Sequence, residues 1–268
     1  MSLWRSRDAT DQFTSHGEAA FYPASVDNPP RVAWCNVNYG PIWAPAYTSH
    51  MRALNYAAQR LQVDYQGDVH AIGATDRMYT HEAENRVVKD IMDTPCTHVF
   101  FTENDMVLPD ETLPWLLEIH QPIVTGVYYL RQGYGQPCLY RKVSQFKGQG
   151  AYGQSPVRMF PQNEPFRLNG CVGVGCLLVH RSVFEQVPYP WFDLQAGHGQ
   201  QGYGSDMYFF KKVRDAGIDV WVQPKAQCGQ IEYVTWTQAD YHAAITADPA
   251  WFSQGVIVGG AEVVPSEA

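Results

Sequence analysis

Thr97-His98-Val99-Phe100-Phe101-Thr102-Glu103-Asn104-Asp105-Met106-Val107-Leu108-Pro109 is the stretch that decides how this chain is read. Val99 to Phe101 form the apolar centre of a buried strand. It runs into an acidic triplet, Glu103-Asn104-Asp105, and then into a turn. Residues two apart on an extended chain point to the same side. Glu103 and Asp105 are therefore expected to present two carboxylates together at the carboxyl end of a strand. Open α/β sheets bind their ligands at that end. Two hard oxygen ligands suit Mg²⁺ or Mn²⁺, ions that also hold phosphate oxygens. A strand end followed by a solvated acidic turn is the plainer reading of the same residues.

Upstream, Val32 to Val37 reads as a first strand. Tyr47, Met51, Leu54, Ala58 and Leu61 recur at helical spacing, so an apolar stripe is expected over residues 47–61. Asp68 to Gly73 reads as a second strand. Ala83, Val87, Val88, Ile91 and Met92 give a second amphipathic helix that ends before Pro95. Strands alternating with helices imply an α/β fold, a mainly parallel sheet flanked by helices. Downstream, Asp110 is placed to cap a helix through Leu113, Leu116 and Leu117, and Pro122 to Leu130 reads as a strand. Short strands such as Cys138 to Val143 follow in a Gly-, Gln- and Tyr-rich segment. Leu168 to Val179 is one long apolar run. Ser182 and Glu185 spell a capping box. Ser205 is expected to cap a helix that buries Phe209, Phe210, Val213 and Ala216, with Gly217 at its end. Val220 to Val222 reads as a short strand, and Thr237 with Asp240 as a further capping box. Residues 1–30 read as an N-terminal arm, 31–250 as a single domain and 251–268 as a tail.

The 268 residues suit one large domain or two small ones, and 45% hydrophobic residues suffice for a substantial core. The formal net charge of -8 argues against a general polyanion binder, since such binding rests on Lys and Arg. Cys35, Cys96, Cys138, Cys171, Cys176 and Cys228 include no CxxC pair, so a ribbon or finger zinc site is not expected. Several lie in apolar runs, as buried free thiols do. No signal peptide and no run of about 20 apolar residues is visible. A soluble, cytoplasmic protein with no membrane span is the expectation.

Glu103-Asn104-Asp105 resembles the DxD signature of GT-A-fold glycosyltransferases, which use nucleotide-sugar donors. The resemblance spans roughly residues 31–235 and rests on order and spacing. It implies a GT-A-like mixed sheet with a Rossmann-like nucleotide-binding half (31–130) and an acceptor half (131–250). Glu103, Asn104 and Asp105 would then meet the donor. The helix Glu82 to Asp93 is similar to the one after the family's base-reading loop, which puts Asp76 and Arg77 near the base and lets Arg86 reach the donor. Asn169 to Val179, followed by His180-Arg181-Ser182-Val183-Phe184, resembles the family's glycine-rich strand before "hhRxxF". By that match Gly173 and Gly175 floor the donor sugar, although glycines packed tightly in a strand explain them as well. Leu178 stands where a dinucleotide fingerprint needs its third glycine, so that motif does not fit.

Pro190-Trp191-Phe192 followed by Gly202-Tyr203-Gly204-Ser205-Asp206 is similar to the aromatic pair and acidic helix start of inverting members. The resemblance implies Asp206 as the base that deprotonates the acceptor hydroxyl, with Trp191 and Phe192 stacking on the acceptor. Ser205 stands where the family usually has Glu. The segment 195–204 would close over the donor. Where the family has a "GH" whose histidine completes the metal site, this chain has Gly229-Gln230. The expected metal set is Asp105 and Glu103, with His198 as a substitute third ligand for Mn²⁺ or Mg²⁺. The implied function is transfer of a sugar from a UDP- or GDP-sugar to an acceptor hydroxyl on a glycan, a small molecule or a modified nucleic acid. One alternative is a nucleotidyltransferase of the same fold type, although residues 36–46 contain no Lys or Arg for a phosphate loop. The other is a non-catalytic carbohydrate- or nucleotide-binding protein.

Overall fold

Four strands carry almost unbroken buried side chains, and they build the middle of the molecule. They are β1 (Arg31–Val37), β3 (His98–Glu103), β5 (Ile123–Tyr128) and β10 (Cys176–His180). Strands read this way when helices cover both faces of their sheet. Alternate residues go to opposite sides. Val32, Trp34 and Phe100 enter one apolar cluster, while Ala33, Cys35, Val99 and Phe101 enter the other. Phe100 and Phe101 are fully buried, and each such side chain contributes about 2–3 kcal/mol by leaving water.

The computed structural model describes residues 21, 23–38, 40–75, 78–129, 137–143, 153–157, 160–194 and 204–232. The chain divides into two units, Met1–Ile231 and Glu232–Ala268, and every element named here belongs to the first. After β1 come α1 (Ala44–Tyr65), β2 (Asp68–Thr75), α2 (Thr80–Met92), β3, β4 (Met106–Val107) and α3 (Thr112–Leu117). Then follow β5, β6 (Leu139–Val143), β7 (Gly153–Pro156), β8 (Phe166–Leu168), β9 (Gly170–Val172), β10, α4 (Arg181–Gln186), α5 (Ser205–Asp215) and β11 (Val220–Gln230). The main sheet runs β2-β1-β3-β10-β5-β11-β4, with β8 on β11, and a smaller sheet runs β7-β6-β9. β1, β2, β3, β5 and β11 share one direction, while β10, β4 and β8 oppose it. The sheet is therefore mixed with a parallel majority. Helices α1 and α3 pack on one face, and α2, α4 and α5 on the other.

Several local expectations are corrected. Helix α1 buries Ala46, Ser49, His50, Ala53, Ala57 and Leu61; of the expected stripe Leu61 is fully buried and Leu54 packs against the core, while Tyr47 and Met51 are 55% and 39% exposed. Small residues let the helix approach the sheet closely. The polar pair on that face is satisfied: the Ser49 hydroxyl donates to Ala46 O and accepts from Leu108 N–H. The run Leu168 to Val179 is three strands, broken at Asn169 and at residues 173–175, so one apolar stretch serves both sheets. The α4 cap is His180, whose Nδ1 accepts from Ser182 N–H, and Glu185 pairs with Arg181. Gly204 rather than Ser205 occupies the cap of α5, which leaves Ser205 buried and Ala216 exposed. Glu111, not Asp110, precedes α3, and the Thr112 hydroxyl bonds Pro109 O. Gly217 does end α5 in a left-handed conformation, φ 73°. The strand begun by Val220 extends to Gln230. Thr237 and Asp240 lie outside the described residues.

Candidate active site

Glu103 is the last residue of β3, in register with Val37 of β1. The chain turns at Asn104 and Asp105 directly after it. The period-two alternation therefore stops at Glu103, and the two carboxylates do not share an environment. Glu103 lines a cleft of about 270 Å³ together with Tyr128, Val174, Ser205 and Asp206. Asp105, only 3% exposed, lies instead beside the end of β11. There its carbonyl accepts from Ile231 N–H at 2.8 Å, and Gln230 Nε2 donates to its Oδ2 at 3.5 Å. The long strand β11 thus carries the Gln230 amide to the side of Asp105. Asn104 faces the loop before α1, with Nδ2 donating to Pro41 O and its carbonyl accepting from Trp43 N–H.

Two helix starts close the cleft. The first turn of α2 brings Tyr79, Thr80 and Glu84, and the first turn of α5 brings Gly204, Ser205 and Asp206. Asp206 is half-buried, and its Oδ1 accepts from Met207 N–H at 2.7 Å. Burial raises its pKa against the opposing pull of the Met207 amide and its own. A base with a raised proton affinity works closer to neutral pH.

Glu84 is fully buried and was not anticipated from the sequence. Burial pushes its carboxyl well above the usual range; the Ser205 hydroxyl opposes this, and the charges of Asp206 and Glu103 reinforce it. Ser205 lies close enough to favour the ionised form, yet neither oxygen makes a hydrogen bond of good geometry. Glu84 precedes Val87 and Val88 by three and four residues. That spacing on the apolar face of α2 was the available signal.

The glycine-rich run lies against a neighbouring side chain. A Cβ on Gly173 would run into the Tyr128 hydroxyl, and one on Gly175 would sit 3.2 Å from Tyr128 Cζ. Both glycines admit the Tyr128 ring, which forms the cleft floor. Burial holds the Tyr128 phenol neutral, well above its ordinary pKa.

Arg86 points away from this cleft. It pairs with Asp90 at 2.9 Å and lines a separate groove of about 360 Å³ with His81, Lys89, Tyr189 and Asp193. Trp191 and Phe192 are core residues, 7% and 0% exposed. Asn85 fixes them: its Oδ1 accepts from both their amides and its Nδ2 donates to Phe192 O. Their rings hold the 190–194 segment in place. Asp76, Arg77, His198 and most of the 195–204 segment lie outside the described residues.

No three His, Cys, Asp or Glu side chains among the described residues enclose an ion. The structure parts Glu103 from Asp105, so no shared pair of carboxylates is formed; Glu103, in the cleft, suits Mg²⁺ or Mn²⁺ only in the mode that uses one carboxylate plus substrate phosphates.

No protein-family model matches the sequence, and no curated protein matches it. Among solved structures, GalNAc-T7 with UDP, GalNAc and Mn²⁺ is similar over 82% of this chain, with a TM-score of 0.53 and 13% identity. The fold is GT-A-like. This chain spans about half of that one, 48%. A197 from STIV is similar over 78% of this chain and 98% of its own, with a TM-score of 0.43 and 14% identity. The CMP:2-keto-3-deoxy-manno-octonic acid synthetase complexed with CTP is similar over 82% and 99%, with a TM-score of 0.39 and 15% identity. In the GT-A-like frame the cleft lies beyond the carboxyl end of β3, where open α/β sheets take ligands.

Proposed function

We propose that this protein is a glycosyltransferase that moves a sugar from a UDP- or GDP-sugar to an acceptor hydroxyl, with inversion. One observation carries the reading. Glu103 at the end of β3 and Asp206 at the start of α5 line one cleft of a GT-A-like fold. Asp206 takes the acceptor proton as that oxygen bonds to the anomeric carbon and the bond to the donor phosphate breaks. Its raised pKa supports this role. Glu103 and Asp105 are the residues that would hold Mn²⁺ or Mg²⁺, with His198 as a further ligand. The bound ion supplies neutralising charge for the leaving diphosphate. Asp76 and Arg77 are assigned to the nucleotide base. Among the described residues no helix is long and apolar enough to cross a membrane. All six cysteines are free and buried, which supports a cytoplasmic setting.

The test is release of nucleoside diphosphate from UDP- and GDP-sugars with and without Mn²⁺. Asp206→Asn should cut turnover by about 10²–10⁴-fold, the range for a general base, with donor binding nearly intact. Undiminished turnover in that variant would remove Asp206 from the mechanism. Gln230 beside Asp105, where an imidazole is expected, favours a second reading as a non-catalytic nucleotide- or carbohydrate-binding protein. Binding of nucleotide sugars without any diphosphate release would establish that reading instead.

A further inference from the structure

Three carboxyl groups, Glu84, Glu103 and Asp206, line the cleft between the starts of α2 and α5. The rest of its lining is hydroxyl, aromatic or aliphatic, and among the described residues no Lys, Arg or His takes part. Glu84 lines the cleft while 0% exposed to solvent, with neither oxygen in a well-formed hydrogen bond. We infer that the cleft receives an uncharged, hydroxyl-bearing sugar ring and rejects acidic rings, with Glu84 as a specificity-determining residue. The inference rests on the proposed function and names the sugar class of the same site.

The physical argument is one of charge and hydrogen bonding. Carboxylates are acceptors, and a carboxylic acid adds one donor. Ring hydroxyls both donate and accept, so they match Glu84, Ser205, Thr80 and the Tyr128 phenol. An acidic ring would bring a fourth carboxyl group against the three in the lining, where among the described residues no Lys, Arg or His side chain balances them. Like charges at such range disfavour ionisation, so that ligand must repel its neighbours or force proton uptake. A buried polar group left without a partner is costly, and a ring hydroxyl reaching Glu84 removes that cost.

The test compares UDP-glucose, UDP-glucuronic acid, UDP-glucosamine with a free amine, and UDP by calorimetry at neutral pH with Mn²⁺. UDP-glucose is expected to bind at least about 10-fold more tightly than UDP-glucuronic acid, a difference of about 1.4 kcal/mol. Glu84→Gln, of nearly the same shape, should narrow that gap severalfold while UDP binds as before. Equal or tighter binding of the glucuronic acid donor, or a gap unchanged in Glu84→Gln, overturns the inference and leaves glycosyl transfer standing. Tighter binding of the amino donor by about 10-fold overturns the uncharged assignment. If neither UDP nor GDP ligands bind, the nucleotide-sugar reading fails, and methyl glucoside against methyl glucuronide by saturation-transfer NMR decides the inference alone. There, a signal from the glucoside only upholds it, and any other pattern overturns it.

Discussion

Acidification from pH 7 to pH 5 should unload stability from buried imidazoles, and His180→Asn should remove part of that loss. His50 and His180 are 4% and 7% exposed, and burial lowers each pKa from 6.5 to about 4. His98 lies against His180, ring centroids 4.8 Å apart, and is lowered well below its usual value by burial and by that neighbour. Each folded pKa is depressed, so the neutral form is the one the fold retains. The contribution is present above about pH 6.5 and is lost as pH falls from there toward 4. At pH 5 an unfolded imidazole is charged and a folded one is still neutral. The gap of 1.5 pH units below 6.5 corresponds to about 2 kcal/mol per histidine. That is a large share of a typical 5–15 kcal/mol.

Glu84 and Asp206 act in the opposite direction, because their folded pKa values are raised. The readout is therefore the difference between wild type and variant rather than the raw slope. Asn at position 180 keeps a cap acceptor for Ser182 N–H and does not titrate. Urea unfolding followed by tryptophan fluorescence at pH 7, 6 and 5 gives the comparison. The wild type should lose about 2 kcal/mol more than His180→Asn between pH 7 and pH 5. Parallel pH dependences in the two proteins would refute the argument.

Gly173→Ala should destabilise by about 1–3 kcal/mol, the usual cost of overpacking, because its Cβ meets the Tyr128 hydroxyl. Tyr128→Phe should restore only part of that loss in the double variant by thermal denaturation, because Tyr128 Cζ and Cys138 Sγ would still lie 2.9 Å from the added Cβ. Asn85→Ala should cost about 2–4 kcal/mol in urea unfolding, since it orphans the buried amides of Trp191 and Phe192. Diphosphate release should rise with pH as Asp206 ionises, with its half-maximum above the ordinary aspartate range. A pH–rate profile measures it, and a midpoint at or below that range would contradict the burial argument.

The sequence alone carries the alternation of strands and helices through β5, and β1, β3 and β5 are legible because strands covered on both faces must be apolar throughout; β8, β9 and β10 are not told apart in the one run 168–179. Gly217 is legible as a helix end because φ 73° suits glycine. Asp206 is legible as an acid at a helix start. Facing relations were decided only by the tertiary structure. On α1, Tyr47 and Met51 lie exposed while Ala46, Ala53, Ala57 and Leu61 are buried beside Ser49 and His50. Asp105 parted from Glu103 because the strand ends between them, and β11 reaches Asp105 only by running on past a bulge. Glu84 came to the cleft because residues at the starts of α2 and α5, far apart in the chain, line it together, and the glycines of 173–175 lie against Tyr128, a residue distant in the chain. Local pattern reports what each segment can bury. Which groups meet depends on contacts between segments, and no single segment encodes those.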